Sequence, residues 1–275
     1  SKSGKEMLYH VSAVILDEIH AVVSNKRGVH LITAVDRLVR LSGEFQRISL
    51  SATVKEQKAV AGFVGGYQMQ GSFMHPRYIQ RPVEIIESTI QKNYRISVKF
   101  PERDEAAADL TVWDLLAEEF KDIVEKNRAT LLFTNGRRLC EKMTYKVNRL
   151  SGQPLAYSHH GSLSKQLRLN VEQHLKKGEL KAIVATSSLE MGIDIGVLDE
   201  VVLVQSPPSV SSAVQRVGRA GHHVNMESRG TFYSPHPQDL ISSAVLAKAV
   251  DDGDIEPLYP IECPLDVLAQ ILVSM

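Results

Sequence analysis

At 275 residues the chain is long enough for two domains, each with its own core. A composition 43% hydrophobic and 23% charged excludes the disordered and fibrous classes. The 32 basic and 32 acidic residues cancel, so nucleic acid could be bound only through a local basic stripe and not through bulk charge.

In chain order, short β-rich apolar runs alternate with amphipathic stretches, the pattern of a parallel α/β sheet. VSAVIL (11–16) reads as a buried strand. A helix is predicted over 29–41, with Leu31, Val35 and Leu38 on one face and Gly43 as its stop. FQRISLSAT (45–53) reads as a strand that runs into a hydroxyl-rich turn, and VEIIES (83–88) as a further strand. KFPERDEAAAD (99–109) is charged and weakly periodic, and reads as a linker.

A second series begins near Trp113, with strands at ATLLFTN (129–135), PLAYSHH (154–160), KAIVATS (181–187), EVVLVQS (200–206) and GTFYS (230–234). The clearest helix is 164–177. Leu167, Val171 and Leu175 form its apolar stripe, Lys176 and Lys177 suit its C-terminal dipole, and Gly178 ends it. After Gly253, IEPLYPIECPLDVLAQ starts something new. The opening on Ser1 and the stop within ILVSM give the expectation of a piece of a larger protein. Cys140 and Cys263 lack C-x-x-C spacing, which predicts reduced thiols and no structural zinc. No apolar run approaches the roughly 20 residues of a membrane span, so a cytoplasmic protein without a membrane partner is expected.

Four stretches fall where strands end, which is where open α/β sheets bind ligands. They are Asp17-Glu18-Ile19-His20, Ser51-Ala52-Thr53, ATSSLEMGIDIG (185–196) and QRVGRAGH (215–222). Each has a plain reading as well: an acidic helix cap, a turn whose hydroxyls bond backbone, a glycine-bracketed loop and a solvated basic helix end. In the fourth, Ser209 reads as the cap of a short helix whose Val210, Val214 and Val217 share one face. Gln215 and Arg219, four apart, then point away from that face together. An amide and a guanidinium presented jointly, with Gly218 and Gly221 permitting close approach, suit a phosphate. The set fits phosphoryl transfer to water, which needs magnesium, an oriented water and positive charge at the γ-phosphate. Asp17 can hold Mg²⁺ through its water shell and Glu18 can position or deprotonate the water. Arg219, arriving from a second domain, can neutralise the developing charge.

DEIH, SAT, TSSLEMGIDIG and QRVGRAGH, in this order, resemble motifs II, III, V and VI of superfamily 2 helicases. LLFTN (131–135) resembles motif IV, and SHHGSLS (158–164) the nucleic-acid-contacting motif IVa. KRGVHL after the DEIH box, the TSSLE spelling, the GRAGH ending and PLDVLAQ (264–270) resemble the Lhr (large helicase-related) family in particular. The resemblance spans essentially the whole chain. It implies an α/β fold of tandem RecA-like parallel sheets, with the C-terminal half of the first RecA-like domain at 1–95 and a linker at 96–112. The second RecA-like domain would follow at 113–250, and the beginning of a winged-helix domain at 251–275.

The resemblance also implies ATP and Mg²⁺ as cofactors, with Asp17 and Glu18 serving magnesium and water. It implies that His20, Ser51 and Thr53 couple the hydrolysis site to the second domain. Gly192, Asp194, Arg216 and His222 are implied near the nucleotide, which Gln215 approaches and for which Arg219 is the finger. His222 stands where many relatives carry a second arginine. Thr134, Asn135, His160, Gly161, Ser162, Thr186 and Ser187 are implied contacts to nucleic acid. The implied activity is ATP-dependent 3′-to-5′ movement on single-stranded DNA with duplex unwinding, at the nucleoid, with RNA or an RNA–DNA hybrid as alternative partners.

One departure is the P-loop G-x-x-x-x-G-K-[ST]. SKSGKEM (1–7) offers an SGK, but Glu6 follows the lysine and no earlier glycine precedes it. The family pattern puts the P-loop ahead of Ser1, so the chain by itself is not expected to hydrolyse ATP. A non-catalytic nucleic-acid-binding scaffold of RecA-like shape is the alternative. An unrelated α/β hydrolase would need a nucleophile, and the sequence has no G-x-S-x-G elbow.

Overall fold

In the computed structural model VSAVIL delivers a short strand, β1 (Ala13–Leu16), parallel to β2 (Gln46–Ser49) with Leu16 opposite Ser49. The structure describes residues 6–72, 74–88, 93–101, 109–190, 196–220 and 227–274. Between the two strands run the 3₁₀ turn Ile19–Ala21 and helix α1 (Lys26–Ser42). Asn25 caps α1 by accepting from the N–H groups of Arg27 and Gly28, and Gly43, at φ 77, stops it. The buried positions of α1 are Gly28, Ile32 and Val35, so the expected stripe through Leu31 and Leu38 is displaced by a fraction of a turn. Both registers satisfy the helical period, and the DEIH turn selects between them. A Cβ on Gly28 would lie 2.1 Å from the Val22 carbonyl oxygen, so only glycine lets that turn pack on the helix. Leu16, Ile19, Val23, Ile32, Val35 and Val54 share one core with Val60 and Val64 of α2 (Gln57–Gly65).

The strand expected at 83–88 does not form, and Val83, Ile85 and Ile86 stand exposed. The residues before it make an antiparallel hairpin, β3 (Tyr67–Ser72) with β4 (His75–Gln80). Both hairpin strands are exposed almost throughout; YQMQ carries only a short alternation in Tyr67 and Met69, and HPRYIQ carries none, so patterning marks them weakly.

The larger unit is a six-stranded, wholly parallel sheet in the order β5-β10-β9-β6-β8-β7. Its strands are β5 (Tyr94–Lys99), β6 (Thr130–Thr134), β7 (Ala156–His159), β8 (Ala182–Ala185), β9 (Glu200–Val204) and β10 (Ser228–Tyr233). The inner runs TLLFT, AIVA and EVVLV lack polar alternation because both faces of the sheet are covered. Leu132, Val184 and Val202 pack under α3 (Val112–Lys126) and α4 (Arg137–Ser151). Leu131, Phe133, Ile183 and Leu203 point to the opposite face. There they meet α5 (Lys165–Lys176), α6 (Val210–Val217) and α7 (Pro237–Asp251). The parallel α/β expectation therefore holds. Ser164 caps α5, with Val171 and Leu175 of the expected stripe buried and Leu167 left at the surface.

The compact units are Ile90–Ile255 on one hand and Ser1–Thr89 with Glu256–Met275 on the other. Residues 96–99, expected in a linker, belong to β5 and pair with β10 as an edge strand. The C-terminal segment groups with the smaller unit: α8 (Leu265–Val273) lies on α1, where Lys26 Nζ donates to Asp266 and Arg37 Nη1 to Ser274 Oγ at 3.1 Å.

β10 approaches α6 closely at Gly230, where an added Cβ would lie 2.7 Å from Val217 Cγ2. Gly230→Ala is expected to cost about 1–3 kcal/mol by overpacking, read as a lowered denaturant midpoint at unchanged m-value. An unchanged midpoint would contradict the packing described.

Candidate functional site

In the smaller unit the chain leaves β1 directly into the acidic pair. Glu18 sits at φ 51, ψ 40, a left-handed conformation that costs a residue with a side chain roughly 1–2 kcal/mol. Its N–H donates to Asp17 Oδ1 at 2.8 Å. Backbone strain at paired carboxylates on a strand end points to function more than to packing. Asp17 is exposed and offers hard oxygen donors, which suit a Mg²⁺ whose remaining shell is water and phosphate oxygen.

His20 joins this pair to the SAT turn. Its Nδ1 accepts the Ala52 N–H at 3.0 Å, with Ser51 Oγ 3.5 Å away. Its Nε2 lies 3.4 Å from Glu18 Oε2. An accepting Nδ1 puts the ring proton on Nε2. Burial holds the pKa below the ordinary imidazole value against the opposing pull of Glu18 and Asp17. Ser51 and Thr53 are exposed beside this link.

In the larger unit every strand ends on the same edge, so residues from four separate motifs meet there. Thr134 is fully buried, and its hydroxyl bonds the carbonyls of Gly136 and Ala185 at 3.3 Å. It braces β6 against β8 and has no surface to offer a strand of nucleic acid, contrary to the expectation from sequence. Asn135 is exposed, but its amide is engaged at both ends: Nδ2 donates to the Ser206 carbonyl at 2.7 Å and Oδ1 accepts from Arg216 Nη1 at 3.0 Å. Gly161 and Ser162 are exposed, and Arg137 Nη1 donates to Ser162 Oγ at 2.9 Å. His160 is buried instead of facing outward, with Nε2 2.7 Å from Glu141 Oε1. The Thr186 N–H donates to the His159 carbonyl at 3.2 Å, which sets the 186–187 loop against the 160–162 loop.

His159, next to the residues singled out, proves to be the hinge of that arrangement. It is fully buried, with Nε2 2.8 Å from Glu172 Oε1 and Nδ1 2.8 Å from Ser188 Oγ. Burial depresses its pKa despite Glu172, so the ring is neutral, and the Ser188 hydroxyl also donates to the His159 carbonyl at 3.0 Å. Nothing in local patterning marks Glu172, an ordinary helical acid thirteen residues along. Only the fold brings it to the ring.

On α6, Ser209 caps as expected, accepting from the Ser212 N–H at 3.0 Å. Gln215 and Arg219 are half-buried together, whereas Ser212, Ala213, Arg216 and Val217 are buried. The buried set keeps Val210 and Val217 of the expected face, with Val214 partly buried against the same core, and widens it to Ser212, Ala213 and Arg216. It also gives Arg216 a different task from nucleotide contact, because its guanidinium lies inside the unit, 2.6 Å from Glu190 Oε1 through Nε. Arg219 donates to the Glu190 carbonyl through Nε at 3.2 Å and Nη2 at 2.5 Å. Gly192, Asp194, Gly221, His222 and the SGK of residues 3–5 lie outside the described residues.

The lowered pKa values of His20 and His159 fix a sign. Their contribution to stability is complete above the unfolded imidazole value of about 6.5 and is lost as pH falls towards the folded values, because the unfolded chain takes up the protons first. The ring proton signals of both histidines should therefore titrate below about 6.5 in an NMR pH series. A His159 midpoint at or above that value would contradict the neutral, burial-dominated ring.

Residues 112–223 match the family described as the helicase conserved C-terminal domain. The Lhr helicase/probable uracil glycosylase of Mycolicibacterium smegmatis is 39% identical over 310 residues, covering 100% of this chain and 20% of that protein. The ATP-dependent helicase Lhr-Core of Methanothermobacter thermautotrophicus is 42% identical over 278 residues, covering 98% of this chain and 31% of that protein. Among solved structures, Mycobacterium smegmatis helicase Lhr bound to ssDNA and AMP-PNP aligns with a TM-score of 0.89 and 43% identity, over 99% of this chain and 35% of that one. The chain thus spans between a fifth and a third of the length of these curated relatives. From end to end it is homologous to the Lhr helicases and corresponds to one part of such a protein.

Proposed function

We propose that this chain is the part of an ATP-dependent helicase that couples ATP hydrolysis to 3′-to-5′ movement on single-stranded DNA and to duplex unwinding. RNA or an RNA–DNA hybrid is the alternative strand. One observation carries the reading: the loops after β6 and β8 lie on one sheet edge and are bonded, through Asn135 and Glu190, to α6, which bears Gln215, and to the turn after it, which bears Arg219. Handling a nucleic-acid backbone and a nucleotide from one rigid edge is what coupling requires. The likeness to proteins named ATP-dependent helicases, and to a helicase bound to ssDNA and AMP-PNP, supports it.

In this reading Asp17 holds Mg²⁺ through water, and the bound ion supplies charge neutralisation at the phosphates. Glu18, fixed by its N–H bond to Asp17, positions or deprotonates the attacking water. Neutral His20 passes the state of that pair to Ser51 and Thr53. Gln215 approaches the nucleotide and Arg219 neutralises charge developing on the transferred phosphoryl group, with Gly192, Asp194 and His222 completing the contacts. Gly161, Ser162, Thr186 and Ser187 contact the nucleic-acid backbone. Such an enzyme works in the cytoplasm, at the nucleoid. Among the described residues no helix is long and apolar enough to cross a membrane.

In the intact helicase, Glu18→Gln is expected to lower ATP turnover at least about 100-fold, and Arg219→Ala about 1,000-fold. Equilibrium binding of single-stranded DNA and of a non-hydrolysable ATP analogue should be spared. Turnover retained in either variant would sink the reading.

A further inference from the structure

Three of the loops on the shared edge converge on one carboxylate to which the activity above assigns no role. Glu190 follows the 3₁₀ turn Ser187–Leu189, and its side chain is 13% exposed. Its Oε1 accepts from Arg216 Nε at 2.6 Å and from Ser212 Oγ at 3.0 Å. Arg216 continues to Asn135, and its guanidinium lies 5.3 Å from the centre of the Phe133 ring. The backbone carbonyl of the same residue accepts both Nε and Nη2 of Arg219. Glu190 therefore grips α6 by its side chain at Ser212 and Arg216, and the turn that follows α6 by its backbone at Arg219.

A buried ion pair of this kind is poor evidence for stability, since neutral groups of similar volume often serve as well or better. What it does fix is geometry. The carboxylate sets where the carbonyl of residue 190 lies relative to α6, and that carbonyl orients a long side chain with several rotatable bonds. We propose that Glu190 is the positioning residue for Arg219: through its bonds to Ser212 and Arg216 it holds the guanidinium in the orientation that charge neutralisation at the phosphoryl group requires. This rests on the ATP-hydrolysing reading above.

The test is steady-state ATPase kinetics of the intact helicase with single-stranded DNA present, beside thermal melting. The double variant Glu190→Gln/Arg216→Met replaces the ion pair by neutral groups. It is expected to melt near the parent temperature and to keep the KM for ATP and the affinity for single-stranded DNA. Its kcat should fall about ten- to 100-fold, as a displacement of a catalytic group by an ångström would give. In an Arg219→Ala background the same double change should lower kcat no further, because both changes act on one group. Parent-like kcat at a parent-like melting temperature would overturn the proposal, and so would a full additional loss in the Arg219→Ala background. Should the double variant fail to fold, Ser212→Ala decides: a lowered kcat at unchanged KM and melting temperature supports the role, and an unchanged kcat overturns it. A Glu18→Gln control separates the two readings. Hydrolysis that survives it overturns both, whereas hydrolysis abolished by it and kept in the double variant overturns the positioning role alone.

Discussion

Parallel strands can be joined only by a crossover that returns the chain to its starting side, so every strand in the larger unit leaves the sheet at the same edge. That one constraint gathers residues scattered from Asn135 to Arg219 into neighbouring loops. It also explains the burial of the strands themselves, because the crossover helices α3 to α6, with α7 after the last strand, cover both faces. Chemistry is confined to the edge because the faces are used up by packing.

The edge is held by buried polar bonds more than by apolar contact. Thr134 ties β6 to β8, His159 ties β7 to Ser188 and Glu172, and Glu190 ties the following loop to α6. In a low-dielectric setting each such bond is directional and costly to break, so the loops have few alternative arrangements. The smaller unit uses the same device once, through His20 between the DEIH and SAT turns. In both units a neutral imidazole spans two strand ends, its charged form disfavoured by burial.

Most of the larger unit could be read in the sequence because TLLFT, AIVA and EVVLV carry the signature of doubly covered parallel strands. The helix cap at Ser209 was equally legible, being a local hydrogen bond between near neighbours. What escaped was either exposed or long-range. The β3–β4 hairpin offers only the short alternation of Tyr67 and Met69, and residues 83–88 have strand-like composition but form no strand. β5 is the exception: YRISVK alternates Tyr94, Ile96 and Val98 with Arg95, Ser97 and Lys99, a period-2 signal that the linker expectation over 96–112 covers. At the site, residue types at strand ends revealed where chemistry gathers. They did not reveal which side chains face inward: Thr134, His160 and Arg216 look like ligands on paper and are interior braces in the fold. Glu172 and Glu190 were overlooked for the opposite reason, since an acid on a helix or turn is usually solvated.

The pairing of β5 with β10 has a consequence for the order in which this sheet comes into being. β5 is the first of the six strands to be synthesised, and its only neighbour in the sheet is the last. During translation at about 5–20 residues per second, the roughly 130 residues between them take on the order of ten seconds to emerge. For that interval YRISVK has an open hydrogen-bonding edge on both sides, and β6 to β9 must assemble without it. Arg95 and Lys99 sit on this strand, and charge of that kind on a waiting edge disfavours pairing with a neighbouring nascent chain. β5 thus joins the sheet, as its edge strand, only when the final strand has left the ribosome.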